Sequence, residues 1–186
     1  MANLFIWLLH NQQKIIMKKI LLALSLLIAG ITLHAQAQYE ITTADEGKIF
    51  KGLITRESLE KEPSFRWWVA NSKEYEVFPA AVTQLARTKD SVRFVVFMGT
   101  WCDDSRFIVP KFYKLLDAAA VGNEKVSLIG VDHEKKTLDN LSESLGITNV
   151  PTIIVMKGGK EVGRVIEYGK AGNFAQDLGE ILATIK

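Results

Sequence analysis

The chain holds one cysteine, Cys102, at a sharp change of character. Val92-Arg93-Phe94-Val95-Val96-Phe97-Met98 is β-branched and aromatic and reads as a buried strand. Gly99-Thr100-Trp101-Cys102 turns out of it, and Asp103-Asp104-Ser105-Arg106 opens a helix whose first turn is acidic, as the helix dipole favours. A thiol at such a junction meets unpaired backbone N–H groups, which stabilise an anion, and the thiolate is the nucleophilic form of cysteine. The chemistry in reach is attack on sulfur, that is, thiol–disulfide exchange. Trp101 offers a flat apolar contact beside the sulfur. Ser105 lies three residues on, one helical turn from Cys102. Its hydroxyl either donates to the thiolate or is an ordinary polar group of a first turn. Asp103 and Asp104 oppose a neighbouring thiolate and Arg106 offsets them. A lone cysteine is commonly buried and inert, but these polar neighbours argue for an accessible one.

The elements that must position this junction follow from pattern. Tyr39 to Asp90 is mixed: a short strand over Ile49–Ile54, a helical stretch over Arg56–Glu62 behind Thr55, and Trp67-Trp68 in a short helix or turn that packs the segment onto the rest. Pro79 suits the first position of a helix reaching about Thr88. After the strand at Val92–Met98, the residues Ile108, Phe112, Leu115, Leu116 and Ala119 share one helix face, with Pro110 inside the helix. Val126–Val131 reads as the next strand and Thr137–Leu145 as a helix stopped by Gly146. Thr152–Met156 and Glu161–Glu167 form a hairpin about Gly158-Gly159, and Asn173 caps a final helix. The resulting order gives an α/β fold, a mixed central sheet flanked by helices on both faces. His133 follows the end of the second parallel strand. It reads as a solvated loop histidine rather than a base for Cys102.

Phe94 to Ser105, with Pro110 eight residues after Cys102 and Val150-Pro151-Thr152 before the hairpin, resembles the thioredoxin superfamily over about residues 79–186. The resemblance implies a thioredoxin-like fold, a cis bond before Pro151, and a substrate groove lined by Trp101, Val150 and Pro151, with the Val150 backbone free to pair with an extended peptide. The sequence departs from the pattern at three places. Ser105 replaces the second cysteine of Trp-Cys-x-x-Cys, Val96 stands where a buried acid is common, and Asp103-Asp104 replaces Gly-Pro. Cys102 can therefore form a mixed disulfide that nothing else in the chain can resolve.

Of 186 residues, 48% are hydrophobic and 24% charged, with a net charge of +2. Lys14, Lys18 and Lys19 are the charges of residues 1–37, leaving 20 basic against 21 acidic side chains beyond them. No basic stripe argues for nucleic acid. One cysteine and one histidine beyond residue 37 exclude a multi-cysteine zinc site or a histidine cage, so no metal and no cofactor is expected. Met17-Lys18-Lys19, the apolar Ile20–Leu33 and Ala35-Gln36-Ala37 match the three regions of a secretory signal cleaved after Ala37. The apolar stretch is short for a membrane span. Residues 1–16 precede a complete signal, which points to Met17 as the start. The expected organisation is a signal over 1–37, an N-terminal extension over 38–78 packing on the domain, and a thioredoxin-like domain over 79–186. The expected location is periplasmic or secreted, an oxidising compartment. The expected function is that of a monothiol thiol–disulfide oxidoreductase with Cys102 and Ser105 at its centre. It would act on a protein thiol or disulfide and be resolved by an external thiol or partner oxidoreductase. The competing reading is a non-enzymatic peptide- or protein-binding module of the same fold.

Overall fold

The computed structural model describes residues 39–186 together with Lys14 and Met17–Lys19. The expected leader and its cleavage site fall almost wholly outside the described residues. Among those described, no helix is long and apolar enough to cross a membrane.

Six strands form one sheet: β1 (Tyr39–Ala44), β2 (Gly47–Ile54), β3 (Val92–Met98), β4 (Val126–Gly130), β5 (Thr152–Lys157) and β6 (Lys160–Ile166), in the order β1-β2-β4-β3-β5-β6. β3 and β4 are parallel and every other pairing is antiparallel. The helices are α1 (Arg56–Glu60), α2 (Trp67–Lys73), α3 (Pro79–Thr88), α4 (Asp103–Ala118), α5 (Leu141–Ser144) and α6 (Phe174–Ala183). Local chemistry sets their ends. Thr55 and Ser58 cap α1 reciprocally, Pro79 opens α3, and the Asn173 side chain accepts from the Ala175 N–H at the start of α6. The β5–β6 turn places Gly158 and Gly159 at φ 56° and 77°, which a side chain would resist.

Alternation along β3 divides the core. Phe94, Val96 and Met98 pack in one cluster with Trp68 of α2, Leu85 of α3, Phe112 of α4 and Leu178 of α6. Val95 and Phe97 face the opposite cluster, with Ile129, Val131, Ile147 and Val150. Only the short α5 and its flanking loop lie on that second face, over a groove of about 620 Å³ lined by Leu53, Val95, Ile129, Leu141 and Leu145. A helix over Thr137–Leu145 is thus reduced to its last turn. Asn140 adopts a left-handed φ of 52°, which breaks the run, and the Thr137 hydroxyl takes up the Leu141 N–H.

Residues 38–78 do more than pack on the 79–186 domain. β2 is hydrogen-bonded to β4 within the same sheet, Trp68 is buried in the larger cluster, and the compact unit runs from Gln38 to Lys186. Gly130 permits the pairing, because a Cβ there would overlap the Phe50 carbonyl oxygen. Phe50 is 2% exposed, stacks on Tyr39 and meets the Phe65 ring at a tilt. Phe50→Ala is therefore expected to lower the unfolding free energy by about 3–5 kcal/mol in urea titrations, as Phe112→Ala should. A loss below about 1 kcal/mol would mean that the segment is merely appended.

Candidate functional site

The site begins where β3 ends. Gly99 to Cys102 must leave a buried strand and enter α4 with its polar backbone groups satisfied. The Gly99 N–H donates to Ser105 Oγ (3.2 Å), and the Cys102 N–H donates to the Gly99 carbonyl (3.0 Å). Arg106 Nε donates to the Thr100 carbonyl (2.7 Å). Thr100 is fully buried. Its hydroxyl donates to the Lys48 carbonyl (2.9 Å) and accepts from the Phe50 N–H (3.1 Å), so β2 holds the loop from one side.

Cys102 occupies the N-cap of α4 in extended backbone geometry and is partly exposed. Its thiol donates to the Val150 carbonyl (3.2 Å). The Val150–Pro151 peptide is cis, and both residues are buried. The Glu167 N–H donates to the Pro151 carbonyl (2.7 Å), which fixes the end of β6 beside this loop. Trp101 donates its indole N–H to the Val131 carbonyl (3.0 Å) and packs with Cys102 against the second-face cluster. Trp101, Cys102, Val150 and Pro151 thus come together.

Ser105 is also close, and its hydroxyl oxygen is engaged as an acceptor. The side chain is fully buried and serves the Gly99 N–H, and among the described residues no hydrogen bond joins it to Cys102. The reason is local: Gly99 has left β3, and its N–H finds its acceptor in this hydroxyl of the first helical turn. Arg106 likewise spends its guanidinium on Thr100, on the Glu46 carbonyl (3.2 Å) and on Asp103 (3.4 Å) rather than on the sulfur.

His133 lies exposed in the loop beyond β4, as expected, and makes two contacts there. Its ring stacks on Trp101, with centroids 4.6 Å apart, and Nε2 meets the Glu46 carboxylate. A hydrogen bond from its own backbone N–H, with a further contribution from His133, holds the Glu46 carboxyl below the usual carboxylate range. Across the site, burial and the neighbouring Asp104 raise the Tyr168 phenol above its ordinary value, and its ring sits 6.0 Å from that of Phe107. Glu46, Lys48 and Tyr168 gave no local signal in sequence, since each reaches the site only through the packing of strands distant along the chain. Among the described residues, no group of three or more His, Cys, Asp or Glu side chains is arranged to hold a metal.

The family model described as Thioredoxin matches residues 70–180. The chain belongs to the thioredoxin family. Thioredoxin of Echinococcus granulosus is 37% identical over 76 residues, covering 41% of this chain and 65% of that protein, just under two thirds of its length. Thioredoxin of Malassezia sympodialis is 30% identical over 77 residues, covering 41% of this chain and 70% of that one. Among solved structures, a Pseudomonas aeruginosa protein of unknown function aligns with a TM-score of 0.50 at 17% identity, over 72% of this chain and 92% of its own, a likeness of fold alone. The hairpin of β1 and β2 lies outside the part of this thioredoxin-family chain that the family model matches.

The Ser105 assignment is testable directly. Ser105→Ala leaves the buried Gly99 N–H without its acceptor and should cost about 1–3 kcal/mol in urea unfolding. The rate at which iodoacetamide alkylates Cys102 in the folded protein should stay unchanged. A marked fall in that rate would show that the hydroxyl acts on the sulfur after all.

Proposed function

We propose that this protein is an exported thiol–disulfide oxidoreductase that works through one thiol. The observation that carries the reading is the position of Cys102: partly exposed, at the N-terminus of a 16-residue helix and beside the Val150–Pro151 loop. The family membership supports sulfur chemistry on protein thiols or disulfides. The leader pattern at Met17–Ala37 supports export to the periplasm or beyond.

In the forward direction the Cys102 thiolate attacks one sulfur of a substrate disulfide. A Cys102–substrate disulfide forms, and the other substrate sulfur leaves as thiolate, taking up a proton from solvent. Because the chain has no second cysteine, an external dithiol completes the cycle. One of its sulfurs attacks the Cys102 sulfur and releases the second substrate thiol. Its other sulfur then closes the external disulfide and frees Cys102, so the two electrons come from that dithiol. The half-buried Trp101 and the Val150 backbone form the surface against which an extended substrate segment rests.

Turnover of a model protein disulfide with a small dithiol separates the readings. The wild type should act only with the external dithiol, and Cys102→Ser should be inactive. Ser105→Cys, one turn along α4, should form an internal disulfide with Cys102 on mild oxidation and gain dithiol activity. Because Ser105 serves Gly99, that variant should also be less stable by about 1 kcal/mol. If Cys102→Ser matches the wild type, the protein is a binding module and the thiol is incidental. If Ser105→Cys forms no 102–105 bridge, the two side chains do not meet.

A further inference from the structure

The β1–β2 turn, Asp45-Glu46, reaches the neighbourhood of Cys102 from a part of the chain that the family model does not match. Two of its groups are engaged there. The Glu46 backbone carbonyl accepts from Arg106 of α4, and the Glu46 carboxylate binds His133, just beyond the end of β4. His133 lies flat on Trp101, with an interplanar angle of 28°. Trp101 itself is anchored by one hydrogen bond, from its indole N–H to the Val131 carbonyl. The chain of contact therefore runs from the hairpin through Glu46 and His133 to the indole next to the only thiol.

Besides its stack on Trp101, the imidazole has one hold. Its side chain is 48% exposed, and among the described residues only Glu46 bonds to it. The other charged groups around the pair are otherwise engaged. Asp132 is tied to Lys51 at 2.7 Å, Arg106 is tied to Thr100 and Glu46, and Lys135 stands 6.0 Å from the Trp101 ring. An exposed ring with one anchor leaves its stack when that anchor is removed, because water replaces the lost contact on its open side.

We propose that Glu46 and His133 act as one unit of positioning residues for Cys102. The carboxylate holds the imidazole on Trp101, and the indole so held forms a fixed wall on one side of the sulfur. The consequence for turnover rests on Cys102 being the working nucleophile. The wall itself does not, and it can be measured without any turnover.

The test uses the full chain and four variants: Glu46→Ala, Glu46→Gln, His133→Ala and the Glu46→Ala/His133→Ala double variant. None removes the Glu46 backbone carbonyl that Arg106 reaches. Two quantities are read: hydrogen exchange of the Trp101 indole N–H, assigned by comparison with Trp101→Phe, and the alkylation rate of Cys102 by a maleimide in the folded protein. Glu46→Ala and His133→Ala should each speed both by about five-fold, the scale of one lost hydrogen bond. Glu46→Gln, which keeps an acceptor without the charge, should fall between them and wild type. The double variant should match the single ones, because either removes the same unit. If both single variants leave Cys102 alkylation at the wild-type rate, or if the double variant multiplies their effects, the proposal is overturned. If these rates behave as expected while turnover is absent in every variant, including wild type, the oxidoreductase reading fails and the positioning unit stands.

Discussion

The exit from β3 is the constraint on which the rest of the molecule depends. Four residues, Gly99 to Cys102, must pass from the middle of a buried sheet into a helix, and their polar backbone groups have little water to turn to. The available partners come from two parts of the fold: Ser105 and Arg106 from α4, and Lys48 and Phe50, through the Thr100 hydroxyl, from β2. A loop satisfied from several directions has one conformation, and that conformation sets where the sulfur lies. Val150 completes it from the far side by accepting from the thiol.

This explains why the hairpin matters beyond its area. β2 adds a strand to β4, and Gly130 lets it approach. The same strand brings Lys48 and Phe50 to Thr100, and the turn before it brings Glu46 to His133. The segment before residue 70 thus shares in building a site whose cysteine lies within the part matched as thioredoxin. Stability and site geometry depend on the same contacts here, since Phe50 is both a core side chain and a donor to the loop.

What could be read from sequence was what is local. β3, α4 and the β5–β6 hairpin announce themselves by residue type and period, and the helix start at Cys102 by its two acids. The mixed sheet followed from their order. What was hidden depends on contacts distant along the chain. Tyr39–Ala44 alternates only over Tyr39-Glu40-Ile41-Thr42, and as an edge strand most of it faces water, so β1 is not visible in sequence. Ser105 reads either as a donor to Cys102 or as an ordinary polar residue, and spacing alone cannot show that its oxygen accepts from the Gly99 N–H. His133 reads as a solvated loop residue and is one, but nothing near it in sequence names Glu46 or foretells the stack on Trp101. Thr137–Leu145 carried helical spacing, yet Asn140 in a left-handed conformation cut it to one turn.

The proposed function requires Cys102, the one cysteine of the chain, to form mixed disulfides that another molecule resolves. The direct measurement is the intact mass of the folded protein incubated near neutral pH with a small aromatic disulfide. One adduct per chain is predicted, located at Cys102, formed without denaturant and removed by a small dithiol. A protein that stays unmodified until it is unfolded would contradict a nucleophilic thiol at the start of α4.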